Sequence, residues 1–203
     1  MELIAEILAA LADPIEFAGL VLGLAAVVLL VRQSIWTWPV GLAYAVISVW
    51  VFSEAKLYAD LLLHVFYVGM NLYGWWYWLR VPASAHSGSQ ATPTLPVSRA
   101  QGSQLALLVL IGSLGTLGMG WYFDRFTDAD FAYADSATTA FSFVAMWMQA
   151  RKLLESWVLW FLIDVGAVAL YSLKGLNYYT LLYLVYLGLA IVGWWAWRRT
   201  ITP

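Results

Sequence analysis

The sequence predicts an all-α membrane protein of seven transmembrane helices, built as two copies of a three-helix unit joined by one extra helix. Three observations predict it. Of 203 residues, 63% are hydrophobic and only 11% charged, where a soluble domain carries roughly 45–50% apolar and about 25% charged residues. Seven stretches come close to the ~20 mostly apolar residues that cross a hydrocarbon core. The chain also repeats itself at a fixed offset of 119 residues.

The elements follow in order. Residues 1–15 form a short N-terminal segment. The first span, 16–33, follows Glu2, Glu6, Asp13 and Glu16, so it lacks the basic leader of a cleavable signal and is expected to be retained. Spans at 36–54 and 57–79 complete a first three-helix unit, 16–80. The connector 81–103 is rich in Ser, Ala, Pro and Gln (Pro82, Ser84, Ser87, Gly88, Pro93, Pro96) and is expected to be cytoplasmic and low in structure. A linking helix follows at 104–122, then an acidic loop from Asp124 to Asp135. Spans at 135–151, 156–173 and 177–197 make the second unit, 135–199.

Sliding the chain by 119 residues lays 16–80 on 135–199 without a gap, and 17 of the 65 aligned positions are identical. Arg32 falls on Arg151, Trp38 on Trp157, Tyr67 on Tyr186, and Gly74-Trp75-Trp76-Tyr77-Trp78 on Gly193-Trp194-Trp195-Ala196-Trp197. Shared apolar composition would give far fewer matches, so the repeat sets the architecture. Three helices end on the opposite side from their start. One linking helix restores the direction, so the two units become parallel repeats about an axis along the membrane normal, a transporter design.

Charge sets the orientation. With the N-terminus outside, Arg32, Arg80, Arg99, Arg151, Lys152, Arg198 and Arg199 all fall inside. Only Lys56, Arg125 and Lys174 fall outside, which favours N-out, C-in.

Polar groups inside a membrane segment cost a few kcal/mol and therefore mark candidate sites. On the third helix Asp60, His64, Tyr67 and Asn71 stand at i, i+4, i+7 and i+11, a single stripe. Asp60 lies one turn from Lys56 and reads as half of an interfacial ion pair. His64 and Asn71 lie deeper, where a substrate site and a hydrogen bond between helices are both open readings. On the sixth helix Trp157, Trp160 and Asp164 share one face. An aromatic surface beside a carboxylate suits a flat, positively charged heteroaromatic ligand, through stacking, cation–π contact and charge pairing. On the seventh helix Tyr179, Tyr183 and Tyr186 repeat the stripe of Asp60, His64 and Tyr67. Equivalent faces filled with different chemistry suit an asymmetric molecule. The Gly-Trp-Trp-x-Trp blocks read instead as aromatic-belt residues.

Several classes are excluded. There is no cysteine for a disulfide or thiolate metal site. No nucleotide motif or basic nucleic-acid footprint appears, and no catalytic or cofactor signature is left over. A primary pump is therefore excluded, and facilitated diffusion is the economical mechanism. A non-transporting scaffold or receptor subunit competes from another class, and homo-oligomerisation stays open.

The residues also carry a resemblance. Trp38-Pro39-Val40-Gly41, Ala55-Lys56-Leu57-Tyr58-Ala59-Asp60 and Tyr73-Gly74-Trp75 together resemble the Pnu vitamin transporters. So does Ala150-Arg151-Lys152 followed by Trp157-x-x-Trp160-x-x-x-Asp164, similar to that family's Trp-x-x-Trp-x-x-x-Asn/Asp motif. The resemblance implies a 3+1+3 fold like that of the SWEET carriers. It also implies uptake of a dephosphorylated vitamin across the bacterial inner membrane, trapped afterwards by a separate cytoplasmic kinase. It places the motif tryptophans and the Asn/Asp position in the substrate site, with a Gln and an Asn from the third helix, which here are His64 and Asn71. The expected site is thus Trp157, Trp160, Asp164, His64, Asn71, Tyr67, Tyr183 and Tyr186. Relatives carry nicotinamide riboside, thiamine or riboflavin. The first two are cationic and suit Asp164; neutral, larger riboflavin ranks third.

Overall fold

The computed structural model describes residues 14–54, 58–80, 95–128 and 131–201. Within them lie seven α-helices: α1 Pro14–Val31, α2 Thr37–Glu54, α3 Tyr58–Arg80, α4 Gly102–Phe126, α5 Ala132–Ala150, α6 Ser156–Leu173 and α7 Asn177–Arg198. They stand where the apolar stretches were expected, with ends shifted by a few residues. The linking helix α4 outruns its expected end because Trp121 and Tyr122 both pack their rings on Phe126, one helical turn further on. The Lys56–Asp60 ion pair lies outside the described residues.

Helix α6 is α2 shifted by 119 residues at both ends. The helix ends repeat as well. Gln33 and Lys152, also 119 residues apart, both adopt left-handed backbone, at φ 57° and 52°. Each closes its helix by the paired bonds of a Schellman turn: Ser34 N–H to Leu29 C=O and Gln33 N–H to Leu30 C=O, then Leu153 N–H to Met148 C=O and Lys152 N–H to Gln149 C=O. Glycine would take this conformation freely, and a side chain there costs about 1–2 kcal/mol. The side chains have a use, however. Lys152 Nζ donates to Gln33 Oε1 at 3.0 Å, tying the two helix ends together.

Packing follows the same pattern. Helix α2 packs between α1 and α3, and α6 between α5 and α7, while α3–α5 and α1–α7 contacts join the halves. Among the described helices, α4 packs on α5 alone. Its glycines let it approach: Gly112 faces Phe141, Gly115 faces Ala140, and Gly120 faces Tyr133. Its remaining surface exposes Leu107, Leu110, Leu114, Leu117 and Trp121.

The whole molecule is inverted in polarity. Large apolar side chains cover the outside, whereas His64, Asn71, Ser142, Gln149 and Asp164 are buried. Length and apolarity alone mark α4, α6 and α7 as able to cross a membrane. Helices α3 and α5 fall short because they turn polar groups inward. Polar faces hidden in the bundle and apolar faces outward are what lipid demands.

The apolar core sits at the end of the bundle where α1, α3, α5 and α7 finish. Trp38 meets Trp78 edge-on at 5.2 Å, and Trp157 meets Trp197 edge-on at 5.3 Å, the same pair one repeat later. Trp78 Nε1 donates to Ala150 C=O at 3.0 Å, and Trp197 Nε1 donates to Leu30 C=O at 3.1 Å, so each half is bonded to the other. This corrects the belt assignment for the last tryptophan of each block, which is buried. Trp76 and Trp195 remain outward.

The connector also differs from expectation. Its first part, 81–94, lies outside the described residues. Residues 95–101 are docked: Ser98 N–H donates to Lys152 C=O, Leu154 N–H to Ser98 C=O, and Ala100 N–H to Glu155 Oε2. Val97 enters the core. Composition could not show this, because within the segment the docking uses backbone groups and a few small or apolar side chains.

Lys152 holds this end together. It is wholly buried, donates to Leu95 C=O at 2.8 Å and lies 4.3 Å over the Trp78 ring. Lys152→Met should lower stability by about 1–3 kcal/mol, because Gln33 Oε1 and the Leu95 carbonyl lose their donor. Burial pushes the ammonium down to about 8, below the ~10.4 of an unfolded chain. Between those values the unfolded chain binds more protons, so stability should rise as pH climbs through that window. Melting curves of both proteins at several pH values check this. A rise that persists in Lys152→Met would assign it to another group.

Candidate functional site

A cavity of about 200 Å³ lies between the two halves, lined from every helix except α4. Helix α6 supplies Trp157, Trp160 and Asp164, so the i, i+3, i+7 face does turn inward. Helix α3 adds Tyr67 and Asn71, and α7 adds Tyr183 and Tyr186. Seven expected residues therefore converge. Asp164 is 4% exposed and, among the described residues of the lining, is the one carboxylate, with no Lys, Arg or His beside it.

His64 is the exception. It is buried behind the lining, with Nε2 3.5 Å from the Tyr44 hydroxyl. Its ring packs edge-on to Tyr44 and Tyr67 and against Phe52. One helical turn from Tyr67 it positions two tyrosines that line the cavity. The spacing predicts a single surface, but the stripe runs further along α3 than the cavity does, and His64 stays behind the wall.

The polar groups are held in place. Asn71 Nδ2 donates to Tyr67 C=O at 2.8 Å. Its Oδ1 lies where a Cβ on Gly41 would stand, so glycine at that position of α2 makes room for the amide. The Ser142 hydroxyl of α5 donates to Thr138 C=O at 2.7 Å. Indole N–H groups of Trp38, Trp157 and Trp160 are buried without a hydrogen-bond partner among the described residues. All three rings belong to the lining, so the wall carries unspent donors beside the carboxylate.

Sequence reasoning missed Tyr44, Trp38, Gly41 and Gln149. Tyr44 and Trp38 were hidden among many aromatics. Gln149 had a signal: Asp135, Ser142 and Gln149 stand seven residues apart on α5, one polar stripe.

Across the 119-residue offset, lining faces lining: Trp38 with Trp157, Tyr67 with Tyr186, Val27 with Met146. The polar members break the symmetry. Asn71 corresponds to Ala190, Gln149 to Leu30, and Trp160 to Gly41. Such a lining is chemically suited to an asymmetric aromatic molecule, with a carboxylate to pair a positive charge.

Known proteins resemble this chain in sequence and in fold. A family model described as nicotinamide mononucleotide transporter matches residues 13–199. The chain belongs to that family. The resemblance to the Pnu transporters is thereby borne out, and the protein is a membrane transporter by family. It is 28% identical to the nicotinamide riboside transporter PnuC of Escherichia coli (strain K12), over 90% of this chain and 84% of that one. It is 26% identical to the riboflavin/roseoflavin transporter RibM of Streptomyces davaonensis, over 91% and 85%. The fold matches a crystal structure of the vitamin B3 transporter PnuC with a TM-score of 0.73. That match has 19% identity and covers 98% of this chain and 87% of the other.

Proposed function

We propose that this protein takes up a dephosphorylated cationic vitamin, nicotinamide riboside first, by facilitated diffusion across the bacterial inner membrane. The observation that carries this reading is Asp164, a lone carboxylate beside Trp160 in a cavity without a cation. A fixed positive ring gains charge pairing and cation–π contact there. A phosphate monoester would meet a like charge and no Arg or Lys, so the riboside is favoured over the mononucleotide. A separate cytoplasmic kinase would then trap the product by phosphorylation.

Two other substrates remain in view. Thiamine is also a cationic heteroaromatic and is the alternative. Riboflavin has a named relative, but it is neutral and large. The cavity is smaller than the ~300–1,000 Å³ usual for drug-sized ligands.

The mechanism rests on a 3+1+3 arrangement of parallel repeats, N-out and C-in, that rock around the cavity. Supporting it are the 119-residue offset of α2 and α6, and the halves joined by α3–α5 and α1–α7, which exchange under that offset. The excess of Arg and Lys at the Lys152 end supports the orientation.

Tryptophan-fluorescence titration of the purified protein with nicotinamide riboside, thiamine and riboflavin tests the substrate. Flux into liposomes tests the mechanism. With the potential clamped at zero, uptake should stop when inside and outside concentrations are equal, since 100 mV alone is worth about 2.3 kcal/mol per charge. Accumulation driven by an imposed pH difference would show proton coupling instead. Absence of both binding and flux would favour a scaffold or receptor subunit.

A further inference from the structure

We infer that Gln149 reads a donor–acceptor edge on the substrate's ring and thereby selects which heteroaromatic the cavity accepts. This deepens the vitamin-carrier reading and rests on it. Gln149 lies one residue before the end of α5, is 4% exposed and lines the cavity. Its amide makes no hydrogen bond among the described residues. Asn71, the other amide in the lining, spends its Nδ2 on Tyr67 C=O. Buried polar groups are nearly always paired, so an amide left unpaired on a cavity wall calls for a partner from the ligand.

Packing does not account for the amide. Leu30 occupies the equivalent position of the first repeat, lines the same cavity and is also buried. The two halves therefore accept an apolar side chain at this place, and only one of them carries an amide.

Depth places the contact. Asp164 lies eight residues into α6, about 12 Å from its start at a rise of 1.5 Å per residue. Gln149 sits near the adjoining end of α5. Amide and carboxylate are thus on the order of 10 Å apart in depth, with Trp160 on α6 between them and Trp157 near the level of the amide. A ring stacked on the indoles, its positive charge towards Asp164, presents its far edge to Gln149. The glutamine amide offers NH₂ and C=O side by side. That pattern complements a primary carboxamide, an aminopyrimidine edge or a flavin imide. A site built to bond such an edge discriminates against a ring without it.

The test compares nicotinamide riboside with pyridine riboside, the same cation without its carboxamide. The wild-type protein should prefer nicotinamide riboside by about 10- to 100-fold, the worth of two hydrogen bonds. Gln149→Leu should bind pyridine riboside as the wild type does and lose that preference. Gln149→Met, which keeps the length of the side chain, repeats the measurement should the leucine variant fail to fold. Where thiamine or riboflavin proves to be the substrate, its analogue lacking the 4′-amino group or bearing a 3-methyl group takes the place of pyridine riboside. Preference retained in the variant, or equal weakening of both probes, overturns the inference. If the wild type binds none of the three vitamins, the vitamin reading itself fails and the inference falls with it.

Discussion

Asp164→Ala is expected to weaken binding of nicotinamide riboside by at least about 1–2 kcal/mol, a factor of roughly 5–30, and Trp160→Ala by a similar amount. The carboxylate is buried in a wall with no other charge, so its attraction for a cation is not screened by water as a surface pair would be. Removing it leaves the positive ring desolvated without a counter-charge. Asp164→Asn separates the two contributions, since it keeps shape and hydrogen bonding while deleting the charge. For the cations it should lose nearly as much as alanine, and for neutral riboflavin very little. Trp160→Ala removes the ring face but keeps the charge, so its loss should extend to all three vitamins through stacking. Trp195→Ala provides the contrast: that ring is 53% exposed on the outside of α7, with Arg198 over it. Its affinity should match wild type. Equal losses from all three positions would show general destabilisation and remove the assignment of the site.

Much of the fold and most of the cavity lining were legible because a membrane reduces the choices. Apolar stretches of about 20 residues could only be helices, and the seven helices stand at those stretches. Within those helices, ionisable and amide groups stand out against an apolar background, which is why Asp164 and Asn71 were found. Aromatic residues carry no such contrast. Trp38, Trp78 and Tyr44 look like Trp76 and Trp195 in a chain with 13 tryptophans and 12 tyrosines. Which of them faces a cavity, the core or lipid depends on helix rotation. His64 shows the same limit from the other side: its stripe was right, but the cavity's extent along α3 decided which residues reach it. The docking of 95–101 was illegible because the segment is held mainly by its backbone groups, which are present in every residue.

Gly193→Ala is expected to cost both stability and affinity, and the balance of two effects sets the sign. Alanine is the better helix former by about 1 kcal/mol, so an unopposed substitution stabilises. Gly118 on α4 has no atom within 4 Å of where the alanine methyl would stand, and Gly118→Ala should raise the melting temperature slightly or leave it alone. Gly193 has the Trp157 ring where the methyl would go. That ring is wedged edge-on against Trp197 and is almost wholly buried, so it has nowhere to retreat but into the cavity. Overpacking of this kind costs about 1–3 kcal/mol and outweighs the gain in helix propensity. Gly74→Ala drives Trp38 in the same way one repeat earlier. Gly112→Ala meets Phe141 at the α4–α5 contact, away from the cavity. It should lower the melting temperature while sparing affinity. Thermal melting and vitamin titration of the four variants in one detergent read both quantities. Should Gly193→Ala and Gly112→Ala weaken binding alike, the loss follows stability, and Trp157 has no part in shaping the cavity.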